Sequence, residues 1–257
     1  MRPRVMPVLL LQGDGLVKGI QFTDYKYVGD PMNSVKIFDH KEVDELIFLD
    51  ITATQENRTP RLEYIEKIAE ECYMPFAVGG GIKNVEDIRK ILYAGAEKIS
   101  INTAAVVNPN LIQEAAGLFG SQSVVVSIDY KKERWSKSHF VYTHAGTKKT
   151  KLDPVQWSIQ VAKLGAGEIL LNSIDRDGTM QGYDIEMLAQ VSNAVNIPVI
   201  ACGGAGTIED LGEAIHSGSA SAVAAGSIFV FHGRRRAVLI NYPGQDELDR
   251  IFGQLQL

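Results

Sequence analysis

Residues 1–257 predict a single α/β domain, a (β/α)8 TIM barrel built from two duplicated half-barrels. Three observations carry this. Residues 197–229, IPVIACGGAGTIEDLGEAIHSGSASAVAAGSIF, read as strand, glycine turn, helix, strand and small-residue turn, which is one complete βαβ unit. Residues 74–105, MPFAVGGGIKNVEDIRKILYAGAEKISINTAA, repeat it: Pro75 matches Pro198, Glu86 matches Glu209 and Gly95 matches Gly218, each pair 123 residues apart. Glu45 before LIFLD and Glu168 before ILLNS keep that spacing, so the duplication covers more than one unit. Finally, 257 residues of 45% hydrophobic content suit a barrel of this kind, which takes about 250. An open doubly wound sheet is the competing arrangement.

The elements follow in order. Residues 5–11 are apolar throughout, as expected of a buried parallel strand. A long loop is expected over residues 12–30, in the position of a functional lid. Its Lys18 is either a contact for a phosphate or carboxylate of a ligand or a solvated surface lysine. A helix near 32–40, a strand over 45–50 ending in Asp50 and a helix near 61–72 precede the first copy of the repeat; Asp50, like Asn172 at the end of the sixth strand, is expected as a substrate or phosphate contact. That copy places Gly80 and Gly81 after one strand, and Asn102 and Thr103 after the next. The fifth strand, 123–129, ends in Asp129; burial of a lone carboxylate is costly, so Asp129 is expected at the strand's C-terminal mouth. Residues 130–150 suggest a small hairpin over that mouth. The sixth strand ends in Asn172, and the acid- and glycine-dense run from Asp175 to Asp184 is either a catalytic loop or a plain turn. In the second copy, Gly203 and Gly204 follow a strand, Thr207 is placed to cap the next helix, and Gly226 and Ser227 follow the last strand. Glycines there let backbone N–H groups approach an anion such as phosphate.

Composition narrows the function. Lys and Arg number 26 against 31 Asp and Glu, so there is no basic excess and nucleic acid is not an expected partner. The longest apolar runs are of strand length and the N-terminus does not read as a signal peptide, so no membrane association and a cytoplasmic location are expected. Cys72 and Cys202 lack metal-ligand spacing and are expected as core residues or reduced thiols; no metal and no cofactor are expected.

The motifs VGGGIKN, EKISINTAA, FGSQSVVVSID, LGAGEILLNSIDRDGTMQGYD and IPVIACGGAG resemble the HisF family, the cyclase subunit of imidazole glycerol phosphate synthase, over nearly the whole chain. The resemblance implies a TIM barrel that binds a substrate with a phosphate at each end. It implies one phosphate site at Gly80, Gly81, Asn102 and Thr103, and another at Asp177, Gly178, Gly203, Gly204 and Ser227. It also implies ammonia delivery through the barrel from a HisH-like glutaminase on the N-terminal face, with Glu97 at the interface. The family's charged gate at that face is matched by Arg4, Glu45, Lys98 and Glu168, although a purely structural plug explains such charges as well.

Two departures qualify the resemblance. The family's first strand ends in an aspartate that acts with the strand-five aspartate; here the matching residue is Leu10, while Asp129 remains and Asp14 lies too far along to substitute. Loss of one positioned acid or base costs about 10²–10⁴-fold in rate. The stretch 232–243, HGRRRAVLINYP, does not read like the family's last helix; Arg234, Arg235 and Arg236 form either an anion or partner patch or a solvated basic turn. Leu10 and this stretch resemble a paralogous branch that supplies ammonia for acetamidino sugar modification in surface polysaccharide, with a separate sugar amidotransferase as a further partner. The expected function is therefore an ammonia-channelling synthase subunit in sugar amidation, with a histidine-pathway cyclase as the alternative and a non-catalytic phosphate-binding scaffold as the remaining one.

Overall fold

The computed structural model describes residues 2–253 except 134, 135, 137 and 234. Arg234, one of the three consecutive arginines, therefore lies outside the described residues. Period-two alternation sets up the barrel wall. In β1 (Arg4–Gln12), Met6, Val8 and Leu10 face the lumen, while Val5, Leu9 and Leu11 pack outward against the helices. The remaining barrel strands are β2 (Leu46–Asp50), β3 (Phe76–Gly79), β4 (Lys98–Ile101), β5 (Val124–Lys132), β6 (Glu168–Ser173), β7 (Val199–Cys202) and β8 (Ala222–Ala225). Each pairs in parallel with its sequence neighbours, and β8 returns to β1, so the sheet closes. The expected (β/α)8 TIM barrel is observed.

Among the described residues eight helices of nine or more residues cover the wall: α1 (Pro31–His40), α2 (Leu62–Glu71), α3 (Val85–Tyr93), α4 (Asn110–Phe119), α5 (Pro154–Lys163), α6 (Ile185–Ala194), α7 (Ile208–His216) and α8 (Gln245–Gly253). Side-chain caps start several of them. Asp30 accepts from Asn33 N, Asn84 from Asp87 N, and Thr207 forms a capping box with Asp210. The duplication is visible in the coordinates: β3 and β7, and likewise α3 and α7, begin and end 123 residues apart.

Two cores result. Ile65, Ile88, Ile112, Val161, Val191 and Leu211 pack between helices and wall, whereas Met6, Val8, Ile47, Ala77, Val125, Leu170, Ile200, Ala222 and Ala224 fill the lumen.

The long loop expected over residues 12–30 is instead an antiparallel hairpin, Gly15–Ile20 against Thr23–Gly29, continuing from β1. Its tip uses no glycine: Gln21, Phe22 and Asp24 all take positive φ. The hairpin expected over 130–150 is present, as β5 runs past Asp129 and pairs with His139–Thr143. Among the described residues of 232–243 none is helical; Phe231–His232 pairs with Ala237–Val238, and the closing helix α8 follows later. Arg235 and Arg236 are exposed there. No helix among the described residues is long and apolar enough to cross a membrane.

Candidate functional site

The C-terminal ends of the strands surround a cavity of about 150 Å³. Every residue singled out for the mouth lines it: Leu10, Lys18, Asp50, Gly80, Gly81, Asn102, Thr103, Asp129, Asn172, Asp177, Gly178, Gly203, Gly204 and Ser227. The two glycine turns are built alike in the two halves. A Cβ on Gly80 would strike the Asp50 carbonyl oxygen, and one on the matching Gly203 would strike that of Ser173, so only glycine allows these close approaches.

Asp129 is buried, and its Oδ1 accepts from Ser127 Oγ at 3.2 Å and Asn172 Nδ2 at 3.3 Å. Burial pushes its carboxyl up to about 6, against the pull of those two hydrogen bonds. Burial likewise raises Asp177 to about 6, opposed by Lys18. Lys18 is not a surface lysine. Its side chain turns inward from the hairpin, Nζ donates to the Val8 carbonyl, and burial lowers the amine to about 8 against the attraction of Asp177. A Cβ on Gly226 would collide with that Nζ, so the bare glycine makes room for it. Cys202, a free thiol, sits among these groups and is pushed well above its ordinary value by burial. Cys72 is a free, buried thiol elsewhere in the core.

Several of these side chains are already engaged. Asn102 Nδ2 donates to the carbonyls of Ser127 and Tyr142 at 3.1 and 3.2 Å, and Thr103 Oγ1 accepts from His144 N at 2.9 Å, so both fasten the β5 hairpin over the mouth. The hairpin after β1 is tied down on the opposite side, where Gln21 N donates to the Asp177 carbonyl at 2.9 Å and Gln21 Nε2 to that of Asp175 at 2.8 Å. Asp50 faces its own loop, with Arg58 on both carboxylate oxygens. Asp14 is exposed and paired with Arg61, away from the cavity. Leu10 is half-buried against the lumen core, so β1 presents no ionisable side chain there.

At the opposite end, Arg4, Glu45, Lys98 and Glu168 form a ring. Arg4 bonds Glu45 and Glu168, the latter at 2.6 Å; Lys98 bonds the same two at 2.9 and 3.1 Å. All four precede lumen-facing residues by two positions, which places them in the lowest inward layer of the wall. Glu97, adjacent to Lys98, is exposed but spends one oxygen accepting from Phe76 N at 2.8 Å.

Residues missed in the sequence also face the cavity. Thr54 and Tyr25 line it, and burial raises the Tyr25 hydroxyl to about 12. Arg58 is near but was not separable from other surface arginines by sequence. Among the described residues, no group of three or more His, Cys, Asp or Glu side chains is placed to hold a metal ion.

Residues 4–235 match the family described as Histidine biosynthesis protein. The chain is 52% identical over 248 residues to a Pseudomonas aeruginosa protein provisionally named imidazole glycerol phosphate synthase subunit hisF2, covering 96% of this chain and 98% of that one. This chain belongs to the HisF family. A Leptospira interrogans relative, provisionally named as subunit HisF of the same synthase, is 47% identical over 252 residues, 98% of this chain and 99% of its own. A Vibrio vulnificus relative provisionally named subunit hisF3 is 45% identical over 247 residues, 96% and 95% respectively.

Proposed function

We propose that this HisF-family chain, acting as one domain, receives ammonia from a HisH-like glutaminase at the face carrying Arg4, Glu45, Lys98 and Glu168. The ammonia passes along the apolar lumen to the mouth. The observation that carries this reading is the placement of the charged ring as the lowest layer of a lumen otherwise lined by Met6, Val8, Ile47, Ala77, Val125 and Leu170. A small neutral molecule passes such a ring when one ion pair separates. At the mouth, the glycine turns at Gly80 and Gly203, with Lys18, suit a phosphorylated small molecule. Leu10 leaves Asp129 without an acid on β1, which favours ammonia supply to a sugar amidation step, with a separate amidotransferase, over cyclisation within this barrel.

A second reading rests on a specific observation. Asp177 is another buried carboxyl lining the same cavity, so a histidine-pathway cyclase that uses Asp129 has in Asp177 a second carboxyl within the site. The two readings separate in one experiment: the purified chain is given the phosphorylated substrate of imidazole glycerol phosphate synthase with saturating ammonium salt. The first reading expects no more than trace turnover. Robust turnover selects the cyclase.

A further inference from the structure

The connection between β2 and α2 has no role in that reading, yet its polar groups fold back onto the first glycine turn. Asp50 Oδ1 accepts from Thr52 N at 3.3 Å and Ala53 N at 3.1 Å, which curls the chain just after the strand. Arg58 then reaches back and forks onto the same carboxylate, NH1 on Oδ2 and NH2 on Oδ1, and NH2 also donates to Thr52 Oγ1 at 2.9 Å. The Asp50 hydrogen bonds are the main reason the guanidinium is held above its ordinary value. Clamped in this way, the segment presses on the turn: a Cβ on Gly81, whose φ is 67°, would collide with the Arg58 carbonyl oxygen.

The contact that matters is polar. Gly81 N donates to Thr54 Oγ1 at 3.1 Å, so the backbone N–H expected to meet an anion already meets a hydroxyl. That hydroxyl keeps its own proton to donate, and no acceptor for it is found among the described residues. Accepting from Gly81 polarises the O–H and makes it a better donor. Thr54 lines the cavity beside Gly80 and Gly81. The Asp50 side chain, 1% exposed, would repel an anion at this place if it stood alone; Arg58 cancels its charge.

We propose that Thr54 is a further phosphate-binding residue of the first turn, donating its hydroxyl proton to a phosphate oxygen, and that Arg58 is the positioning residue that holds it there through Asp50. The proposal rests on the reading of Gly80 and Gly81 as a phosphate turn. Isothermal titration of the full chain with inorganic phosphate, at constant ionic strength, tests it. Thr54→Val, or Thr54→Ala should the valine variant fail to fold, weakens one of two phosphate sites roughly tenfold. Thr54→Ser restores that site. Arg58→Lys keeps the charge but loses the fork, and weakens the same site; combined with Thr54→Val it adds no further loss, because both changes act through one hydroxyl. Phosphate bound at both sites as tightly by folded Thr54→Val as by the unaltered chain overturns the role of Thr54 and leaves the phosphate turns standing. An Arg58→Lys variant with a lowered melting temperature but unaltered phosphate affinity overturns the role of Arg58. An unaltered chain that binds no phosphate ends the phosphate reading, and this inference with it.

Discussion

Both ends of the lumen are charged, but they are built in opposite ways. At the bottom, two cations and two carboxylates share their hydrogen bonds so that each cation bridges both acids, and the formal charges cancel. At the mouth, Lys18, Asp129 and Asp177 make no hydrogen bonds to one another, and burial dominates the titration of each. The difference teaches that the ring answers its charges with ion pairs, whereas the mouth leaves its charged groups to be offset by their surroundings. At the mouth the buried groups bear their own desolvation, which moves Lys18 down to about 8 and Asp129 and Asp177 up to about 6.

The largest effect expected from breaking this contrast is at the ring. Glu45→Ala removes the acceptor that Arg4 and Lys98 share, leaving two cations short of a partner, and should destabilise the protein by about 3–5 kcal/mol. Thermal unfolding should show a drop on the order of 10 °C. A drop of only a degree or two would mean that the ring is wet and not a sealed layer. Lys98→Ala, at a site less buried, should cost less stability but shift coupling. In a mixture with a glutaminase partner, glutamine hydrolysis should continue while ammonia reaching product falls. An unchanged ratio of glutamine hydrolysed to product formed in a well-folded variant removes the channelling role.

Mouth substitutions should act with the opposite sign. Asp129 holds its proton up to about pH 6 in the folded chain, against 3.8 ordinarily, so folded protein binds more protons across that window and stability falls as pH rises through it. Asp129→Asn should therefore be more stable than the unaltered chain above pH 6, by at most about 3 kcal/mol, with the gain gone below pH 4. Any turnover that depends on Asp129 should fall about 10²–10⁴-fold in the same variant. Lys18 runs the other way, being about 8 folded against 10.5 ordinarily, so stability rises with pH between those values. Lys18→Met should gain about 1–2 kcal/mol below pH 8 and lose that advantage above 10.5, read from melting curves across pH. Smallest in stability is Leu10→Asp, at a half-buried site, which should restore an acid on β1 opposite Asp129 and give detectable ammonia-dependent cyclase turnover. A folded variant that binds the cyclase substrate without turning it over would show that Leu10 was not the decisive loss.

The barrel and most of the mouth were legible in the sequence because they follow from periodicity. Lumen-facing residues alternate along each strand, so Arg4, Glu45, Lys98 and Glu168 share a layer for the same reason that Met6, Ile47 and Leu170, two positions on, do. What was hidden depends on turn chemistry and on side-chain direction. The hairpin after β1 reads as a loop because Gln21, Phe22 and Asp24 take left-handed backbone angles without the Gly or Asn that usually signals them. That hairpin in turn decides where Lys18 points, which spacing alone leaves open. Asp50 reads as a ligand contact until Arg58, eight positions on, is seen to occupy both of its oxygens.

The ring also has an order of assembly. Arg4, Glu45 and Lys98 belong to the first copy of the repeat, while Glu168 arrives with the second, 70 residues after Lys98. A ribosome adding about 5–20 residues per second takes several seconds to cover that interval. During that time Arg4 and Lys98 have only Glu45 of the two carboxylates they share in the finished ring. The second carboxylate lies at the start of β6, so completion of the ring coincides with closure of the wall.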